Sequence, residues 1–317
     1  MRLNLHLLRV FHSVAIEGSF SAAARSLHIS QPAVSKAVSE LERQLDMVLI
    51  ERTGGRAGQG LSLTEAGSAL NAHARAIFAL EHAAVEELQQ RSGLKRGELV
   101  IGASTTIASY WLPRYLQAFS RNWPDIVLKV VVANTHSITE DLFDCRLDLA
   151  LVEGPVQQEG VAYYPWREEP LILVAPPQFP AVPPPGKSEG GRSQPGTAAK
   201  AVWISADDLA DRTWLVREAG SGTREVSFDL LSKQGMQPRR SIEIGSNEGI
   251  ARAVASGLGV AMLPFAVVED LLLLGRVVEL RVHDMAGFSR SLYRLERKDR
   301  PPTPAVWAFL DILSRPV

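Results

Sequence analysis

The stretch Phe20–Leu45 reads FSAAARSLHISQPAVSKAVSELERQL, and its punctuation decides how the N-terminal part folds. Ser21 is an N-cap type ahead of a short helical run, Ala22–Leu27. After His28-Ile29, Ser30 is a second N-cap. Pro32 fits the first turn of the next helix, where its missing N–H has no intrahelical partner anyway. That helix runs to about Leu45, with Val34, Val38, Leu41 and Leu45 inward and Gln31, Ser35, Lys36, Ser39 and Arg43 pointing largely elsewhere. Upstream, Leu3, Leu7, Leu8, Val10, Phe11 and Val14 predict a first helix, broken at Glu17-Gly18-Ser19. Downstream, Gly54, Gly55, Gly58 and Gly60 separate the short apolar stretches Val48–Ile50 and Leu61–Leu63, the pattern of a two-stranded hairpin or wing.

Helix, turn, helix and wing is a DNA-reading arrangement. The major groove admits one α-helix, and the preceding helix braces it against the backbone. The residues that reach base edges are then Gln31, Pro32, Ser35 and Lys36. Gln holds adenine in a bidentate pair, Lys approaches guanine, and proline methylenes touch thymine methyls. Ser30 and Ser39 suit phosphates, and Arg52 and Arg56 in the wing suit flanking phosphates or the minor groove. A small helical interaction domain with solvated Ser, Gln and Lys is the alternative that the pattern leaves open.

Thr64–Arg91 predicts one long helix, capped by Thr64, with Glu65 at the positive end of its dipole. Leu70, Ile77 and Ala84 recur at steps of seven, with Leu80 and Leu88 beside them. A helix joining two domains cannot bury such a stripe alone. The simplest partner is the same helix of a second subunit, and packing on its own domain is the alternative. Gly93, Lys95, Arg96 and Gly97 read as a hinge.

From Glu98 to Val317 strand and helix patterns alternate. Strands are predicted at Leu99–Gly102, Ile126–Val132, Asp148–Val152, Leu171–Ala175, Thr213–Val216, Ser241–Ile244, Gly259–Leu263 and Val277–Val282. Helices are predicted at Trp111–Arg121, Thr135–Phe143, Thr223–Gln234, Glu248–Ser256 and Pro264–Leu272. Alternation of this kind indicates an α/β fold with mainly parallel sheets, long enough here for two subdomains. Pro176–Pro195 is rich in Pro, Gly and Ser and reads as a surface loop, to which no chemistry is assigned.

Ligands bind α/β sheets beyond the C-terminal ends of strands, often at helix N-termini. Three segments have that form: Ser104-Thr105-Thr106, Ser221-Gly222-Thr223 and Ser246-Asn247-Glu248. Each offers hydroxyls, unpaired backbone N–H groups and the positive end of a helix dipole, which together suit a small carboxylate, phosphate or sulfate. Arg224 offers a bidentate anion contact. Each segment taken alone also reads as a plain N-cap.

No catalytic constellation is present in the sequence. The histidines are His6, His12, His28, His73, His82, His136 and His283, with no HExxH, Walker-type loop or G-x-S-x-G among them. No metal site and no cofactor are expected. Cys145 is the only cysteine and reads as a small apolar residue. Charges at Arg2, Arg9 and Glu17 break any signal-peptide core, and no uncharged apolar run reaches the ~20 residues of a membrane span, so a cytoplasmic location is expected. A stand-alone solute-binding protein and an enzyme on an α/β scaffold are the competing classes. The N-terminal helices count against the first, and the missing nucleophile–base and metal sets count against the second.

The N-terminal motif also resembles a known family. Phe20-Ser21-Ala22-Ala23-Ala24, followed by Leu27-His28-Ile29-Ser30-Gln31-Pro32-Ala33-Val34-Ser35, is similar to the N-terminal signature of LysR-type transcriptional regulators. The likeness continues through Leu41-Glu42, Leu49-Ile50-Glu51-Arg52-Thr53 and Leu63-Thr64-Glu65-Ala66-Gly67. Ile101-Gly102-Ala103-Ser104, the segment Glu218–Glu225 and Gly245-Ser246-Asn247-Glu248-Gly249-Ile250 resemble the family's effector domain, so essentially the whole chain is covered. The resemblance implies a winged helix-turn-helix over residues 1–63 and a dimerising linker helix and hinge over 64–97. Residues 98–317 are then a two-lobed α/β effector domain like a periplasmic binding protein, with lobe I at about 98–170 and 270–317 and lobe II at about 171–269. It also implies a bacterial homotetramer that bends promoter DNA, responds to a small effector and works with RNA polymerase. The cleft residues it implies are Ser104, Thr105, Ser221, Thr223 and Asn247. Two departures stand out: a wing that is longer and more glycine-rich than usual, with Ser62 where a basic residue is common, and the Pro176–Pro195 stretch, which looks like an insertion.

The net charge of −1 gives nucleic-acid binding little support as a total. Split at Gly97, residues 1–97 carry 11 Lys+Arg against 9 Asp+Glu, and the remainder 23 against 26. The asymmetry has the sign that DNA binding needs, but it is small. So few cations neutralise few phosphates, which predicts an oligomer whose linked heads restore affinity.

Overall fold

A computed structural model describes residues 2–51, 61–91, 97–154, 156, 158–180, 201–282 and 287–315. Arg52 and Arg56, most of the hinge, and the Pro-rich stretch beyond residue 180 lie outside the described residues. The chain forms two compact units, Met1–Leu94 with Asp299–Thr303, and Lys95–Lys298 with Pro304–Val317.

In the first unit α1 spans Leu5–Glu17; the Asn4 side chain caps it and Gly18 ends it at φ 60°. A left-handed C-cap is where glycine carries no steric cost. Helix α2 spans Phe20–Ser26 and is capped by Ser19 rather than Ser21, the Ser19 hydroxyl accepting from the Ala22 N–H at 3.4 Å. Ser19 is extended, as a cap must be, while Ser21 is already helical. Helix α3 spans Gln31–Leu45 with Ser30 as its cap, and Asp46 closes it in the left-handed region. Strands β1, Ile50–Glu51, and β2, Ser62–Leu63, pair antiparallel as the base of the wing. Helix α4 then runs from Glu65 to Arg91. Thr64 accepts from the Gly67 N–H at 3.0 Å and donates to the Val48 carbonyl at 2.8 Å, which ties the start of α4 to the wing. A Cβ at Gly67 would lie 2.0 Å from the Leu49 carbonyl oxygen, so only glycine lets the two backbones pass.

The predicted inward positions do form the core of this unit. Leu8, Phe11, Val14, Val34, Val38, Leu41 and Leu49 are buried together, and Leu45 packs on them. The first half of the stripe on α4 packs on its own unit. Ala74 is buried in this core and Leu70 and Ile77 pack on it, whereas Leu80, Val85 and Leu88 are exposed. His12 and Asn71 share a buried contact at 2.7 Å, and Arg9 lies over Phe78 while it pairs with Glu81, which pins α4 along α1.

The second unit opens with β3, Gly97–Ser104, a π-helical turn at Ile107–Trp111, α5 at Leu112–Asn122, β4 at Ile126–Ala133, α6 at Thr135–Phe143 and β5 at Leu149–Glu153. The long strand β6, Val161–Ala175, leads to β7 at Val202–Ile204, α7 at Ala206–Ala210, β8 at Thr213–Val216, α8 at Gly222–Lys233 and β9 at Arg240–Glu243. Then follow α9 at Asn247–Ala255, β10 at Ala261–Pro264, α10 at Phe265–Leu273, β11 at Val278–Val282, β12 at Phe288–Arg297 and α11 at Pro304–Ser314.

One eight-stranded sheet runs β4-β3-β5-β12-β6-β11-β7, with β10 also on β6, and β8 and β9 pair separately. The expectation of mainly parallel sheets is corrected: β3 with β4 and β5, β7 with β11, and β8 with β9 are parallel, but every pairing of β6 and β12 is antiparallel. β12 pairs along its whole length with Val161–Leu171 of β6, and the rest of β6 pairs with β10 and β11, so the two strands pass from one lobe to the other. Only the apolar end of β6, from Leu171, was predicted from sequence. The first half carries Tyr163, Tyr164 and Pro165 outward, so it lacks the apolar run. Strand β12 was not predicted at all, because Arg290, Arg294 and Arg297 interrupt its alternation. Each lobe has its own core. One is built on Leu99, Ile101, Leu112, Tyr115, Phe119 and Phe309, the other on Leu173, Trp214, Leu231, Met262 and Leu280.

Candidate functional site

On the first unit, α3 presents Gln31, Pro32, Lys36 and Ser39 to solvent, while Ser35 is half-buried. Ser30 uses its hydroxyl as the cap, accepting from the Ala33 N–H at 3.4 Å. Arg43 is held by Glu40 on the same helix. The helix thus offers amide, ammonium and hydroxyl groups at its start and along one exposed face. Glu42 points the other way and accepts from the Leu49 and Ile50 N–H groups, fixing the wing strand against α3.

In the second unit the three predicted ligand segments converge. The Asn247 Nδ2 donates to Thr106 Oγ1 at 2.8 Å and to Thr223 Oγ1 at 3.2 Å, so one fully buried amide joins the ends of β3, α8 and α9. Ser104 is buried and its Oγ accepts from the Ile107 N–H at 3.4 Å, holding the π-helical turn. Ser221 is also buried, at the N-cap of α8, but its hydroxyl makes no cap bond, unlike Ser246, which caps α9 through the Gly249 N–H at 3.0 Å. A narrow cavity with about 20 Å³ open to water lies beside Thr223, Asn247, Arg217, Ser227 and Phe228, room for about one water. Asn247 Oδ1 and Ser227 Oγ are buried without a hydrogen-bond partner. Buried polar atoms of that kind normally find one.

Arg224, predicted as an anion contact, directs its Nη1 to the Arg217 carbonyl at 2.8 Å and to the Glu243 carboxylate at 2.6 Å. A second guanidinium at the junction, Arg217, was not predicted. It is 4% exposed, and Nε and Nη2 grip the two oxygens of Glu218 at 2.7 and 2.8 Å. The third arm, Nη1, donates to Thr105 Oγ1 at 3.3 Å. Burial is the largest influence on Glu218 and opposes its ionisation, but the Arg217 hydrogen bond and charge, a backbone hydrogen bond and Asn134 together outweigh it and hold the carboxyl below the usual carboxylate range.

Behind Thr223 lies a second unpredicted group. Arg290 on β12 is fully buried, with Nη2 at 2.6 Å from Glu169 of β6 and Nη1 donating to Thr223 at 2.6 Å. Trp111 Nε1 donates to the other Glu169 oxygen at 2.7 Å. Glu153, whose side chain is 3% exposed, sits 3.4 Å from Arg290. Arg290 and Glu169 are direct cross-strand neighbours, so the two strands that cross between the lobes carry the charge pair under the cleft. The signal available in the sequence was an Arg-Glu pair directly after an apolar strand at residue 217, and an acidic residue directly before Pro170 and the apolar run Leu171–Ala175.

A winged helix-turn-helix on one unit and a two-lobed α/β fold with a polar cleft on the other define a ligand-responsive DNA-binding regulator. The comparisons with known proteins agree. The model for the bacterial regulatory helix-turn-helix protein, lysR family, matches residues 5–68, and the LysR substrate binding domain model matches residues 92–315. A RuBisCO operon transcriptional regulator of Allochromatium vinosum is 33% identical over 315 residues, which cover 99% of this chain and 96% of the relative. The HTH-type transcriptional regulator CysL of Bacillus subtilis is 30% identical over 280 residues, 88% of this chain and 87% of the relative. Among solved structures, a full-length OxyR variant from Pseudomonas aeruginosa matches with a TM-score of 0.71 at 24% identity, covering 99% of this chain and 95% of that one. The regulatory domain of Synechocystis CcmR in complex with 2-PG matches with a TM-score of 0.57 at 27% identity, covering 69% of this chain and 96% of that one. The chain belongs to the LysR family of transcriptional regulators: it binds DNA through its N-terminal domain, carries an effector-binding domain, and is not an enzyme.

Proposed function

We propose that this regulator reads promoter DNA with Ser30, Gln31, Pro32, Ser35, Lys36 and Ser39 of α3, assisted by Arg52 and Arg56 of the wing, and responds to a small anion bound between the lobes. The anion is held by the segments Ser104–Thr106 and Ser221–Thr223 and by Asn247. The observation that carries the anion reading is the hydrogen bonding that joins these segments, Asn247 to Thr106 and Thr223 and the Arg217 guanidinium to Thr105. The similar CcmR regulatory domain is in complex with 2-PG, which supports a small-molecule ligand in this domain. The working form is a homotetramer in which pairs of chains join through α4, and contact with RNA polymerase follows from the promoter position. Anion binding changes the angle between the lobes and so shifts the tetramer between DNA-bending states.

Two sets of variants test this reading. Gln31→Ala and Lys36→Ala weaken operator binding in a gel-shift titration, each by about 1–3 kcal/mol at a base-reading position, and leave oligomerisation intact. Unchanged affinity and specificity would reject the assigned recognition helix. Thr105→Ala and Thr223→Ala blunt the response of the operator complex to added 2-PG while DNA binding persists. A response curve unaltered in both variants would reject the cleft.

A further inference from the structure

Three guanidinium groups surround the cleft, and each already holds a carboxylate of this chain: Arg290 with Glu169 and Glu153, Arg224 with Glu243, and Arg217 with Glu218. They differ in what an entering ligand meets. Glu169 and Glu153 are as buried as Arg290 itself, so that pair is part of the interior. Arg224 gives Glu243 a single nitrogen at the surface and points the same nitrogen at a backbone carbonyl. Arg217 is different. Its guanidinium is buried, yet the carboxylate that fills its fork has a quarter of its side chain open to solvent. The fork is gripped through Nε and Nη2 in the bidentate geometry that an oxyanion ligand would use, and Thr105 stands at its third arm. The same guanidinium borders the cavity lined by Asn247 and Ser227, whose Oδ1 and Oγ are buried without a hydrogen-bond partner.

We infer that Glu218 determines the specificity of this site: its carboxylate occupies the Arg217 fork in place of the effector's oxyanion, and the effector binds by displacing it. The inference rests on the reading that the effector enters this cleft. A carboxylate attached at the next residue is present at high effective concentration. A free monocarboxylate therefore gains little by exchanging with it. A doubly charged tetrahedral oxyanion brings an extra charge and a third oxygen, which reaches the Thr105 hydroxyl. The site accordingly selects phosphate- or sulfate-type groups over simple carboxylates, and Glu218 sets the concentration at which they act. On displacement Glu218 also releases Asn134, the N-cap of α6, whose Nδ2 lies 3.5 Å from it, so exchange at Arg217 is felt in the opposite lobe.

The test is calorimetric titration of the full chain with inorganic phosphate, alongside thermal melts with and without it. In Glu218→Gln the fork faces a neutral, weaker competitor. Phosphate then binds about tenfold tighter than to the wild type, the worth of one charge-assisted hydrogen bond. In phosphate-free buffer the same variant melts below the wild type, because a buried guanidinium has lost its counter-charge, and phosphate raises its melting temperature by more than it raises the wild type's. Glu218→Ala behaves likewise, and Arg217→Gln loses phosphate binding. Equal phosphate affinity in wild type and Glu218→Gln, or no binding to Glu218→Gln, overturns the inference while Thr105→Ala and Thr223→Ala still decide the cleft. Phosphate binding that survives Arg217→Gln, Thr105→Ala and Thr223→Ala places the ligand elsewhere and overturns both.

Discussion

At the scale of single residues, the interior charges are the sharpest feature of the second unit. Arg290 is fully buried against Glu169 and Glu153 and bonds Thr223 as well. Removing one partner of a buried pair strands the other, which costs about 3–5 kcal/mol. Arg290→Gln is expected to lower the unfolding free energy of the effector unit by that amount, measured by denaturant titration. A loss below about 1 kcal/mol would mean that the carboxylates are not held by this guanidinium. Gly222 makes a second point. A Cβ there would lie 2.1 Å from the Glu153 carbonyl oxygen and 2.7 Å from Thr135 Oγ1, so α8 starts where it does only because residue 222 has no side chain. Gly222→Ala is expected to destabilise by about 1–3 kcal/mol and to displace Thr223, visible as a lower melting temperature together with weakened phosphate binding. A variant with wild-type stability would show that α8 can shift freely.

At the scale of elements, what could be read from the sequence follows a physical line. The first unit was legible almost residue by residue, because caps and apolar spacing are local: Ser30, Pro32, Val34, Val38 and Leu41 do what their positions predict. The cap of α2 fell two residues early, since Ser19 and Ser21 are equally good cap types and only the backbone distinguishes them. The second unit was legible where strands are apolar and blank where they are not. Strand β12 carries the buried Arg290, whose carboxylate partners are 121 and 137 residues away in sequence, and no local pattern announces that pairing. The same blindness hid Arg217, Glu169 and Glu153 from the candidate site, while Thr106, Thr223 and Asn247 were legible because each opens a helix after a strand. Helix α4 supplies the prediction that belongs here. Its first half is spent on its own unit, whereas Leu80 and Leu88 stand 56% and 67% exposed. Leu80→Glu with Leu88→Glu is expected to lower the oligomeric order measured by light scattering and to leave the helical content intact. An unchanged mass would mean that subunits join elsewhere.

For the whole molecule, the small net charge sets the problem. The N-terminal 97 residues carry an excess of only two positive charges, and Arg43, one of the cations, is bound to Glu40. A head so weakly charged is expected to gain affinity from linkage to other heads and, on the proposed reading, selectivity from a few polar groups on α3. The salt dependence of operator binding should accordingly be shallow for each head, and a variant that loses the exposed leucines of α4 should lose operator affinity without any change in α3. The central claim is that α3 selects the DNA. Mapping the DNA bound in cells by the wild type and by a Gln31→Ala, Lys36→Ala variant tests it most directly. The expected outcome is a small set of promoters sharing a dyad motif that disappears in the variant at equal protein level. The same promoters retained by the variant at undiminished occupancy would contradict it.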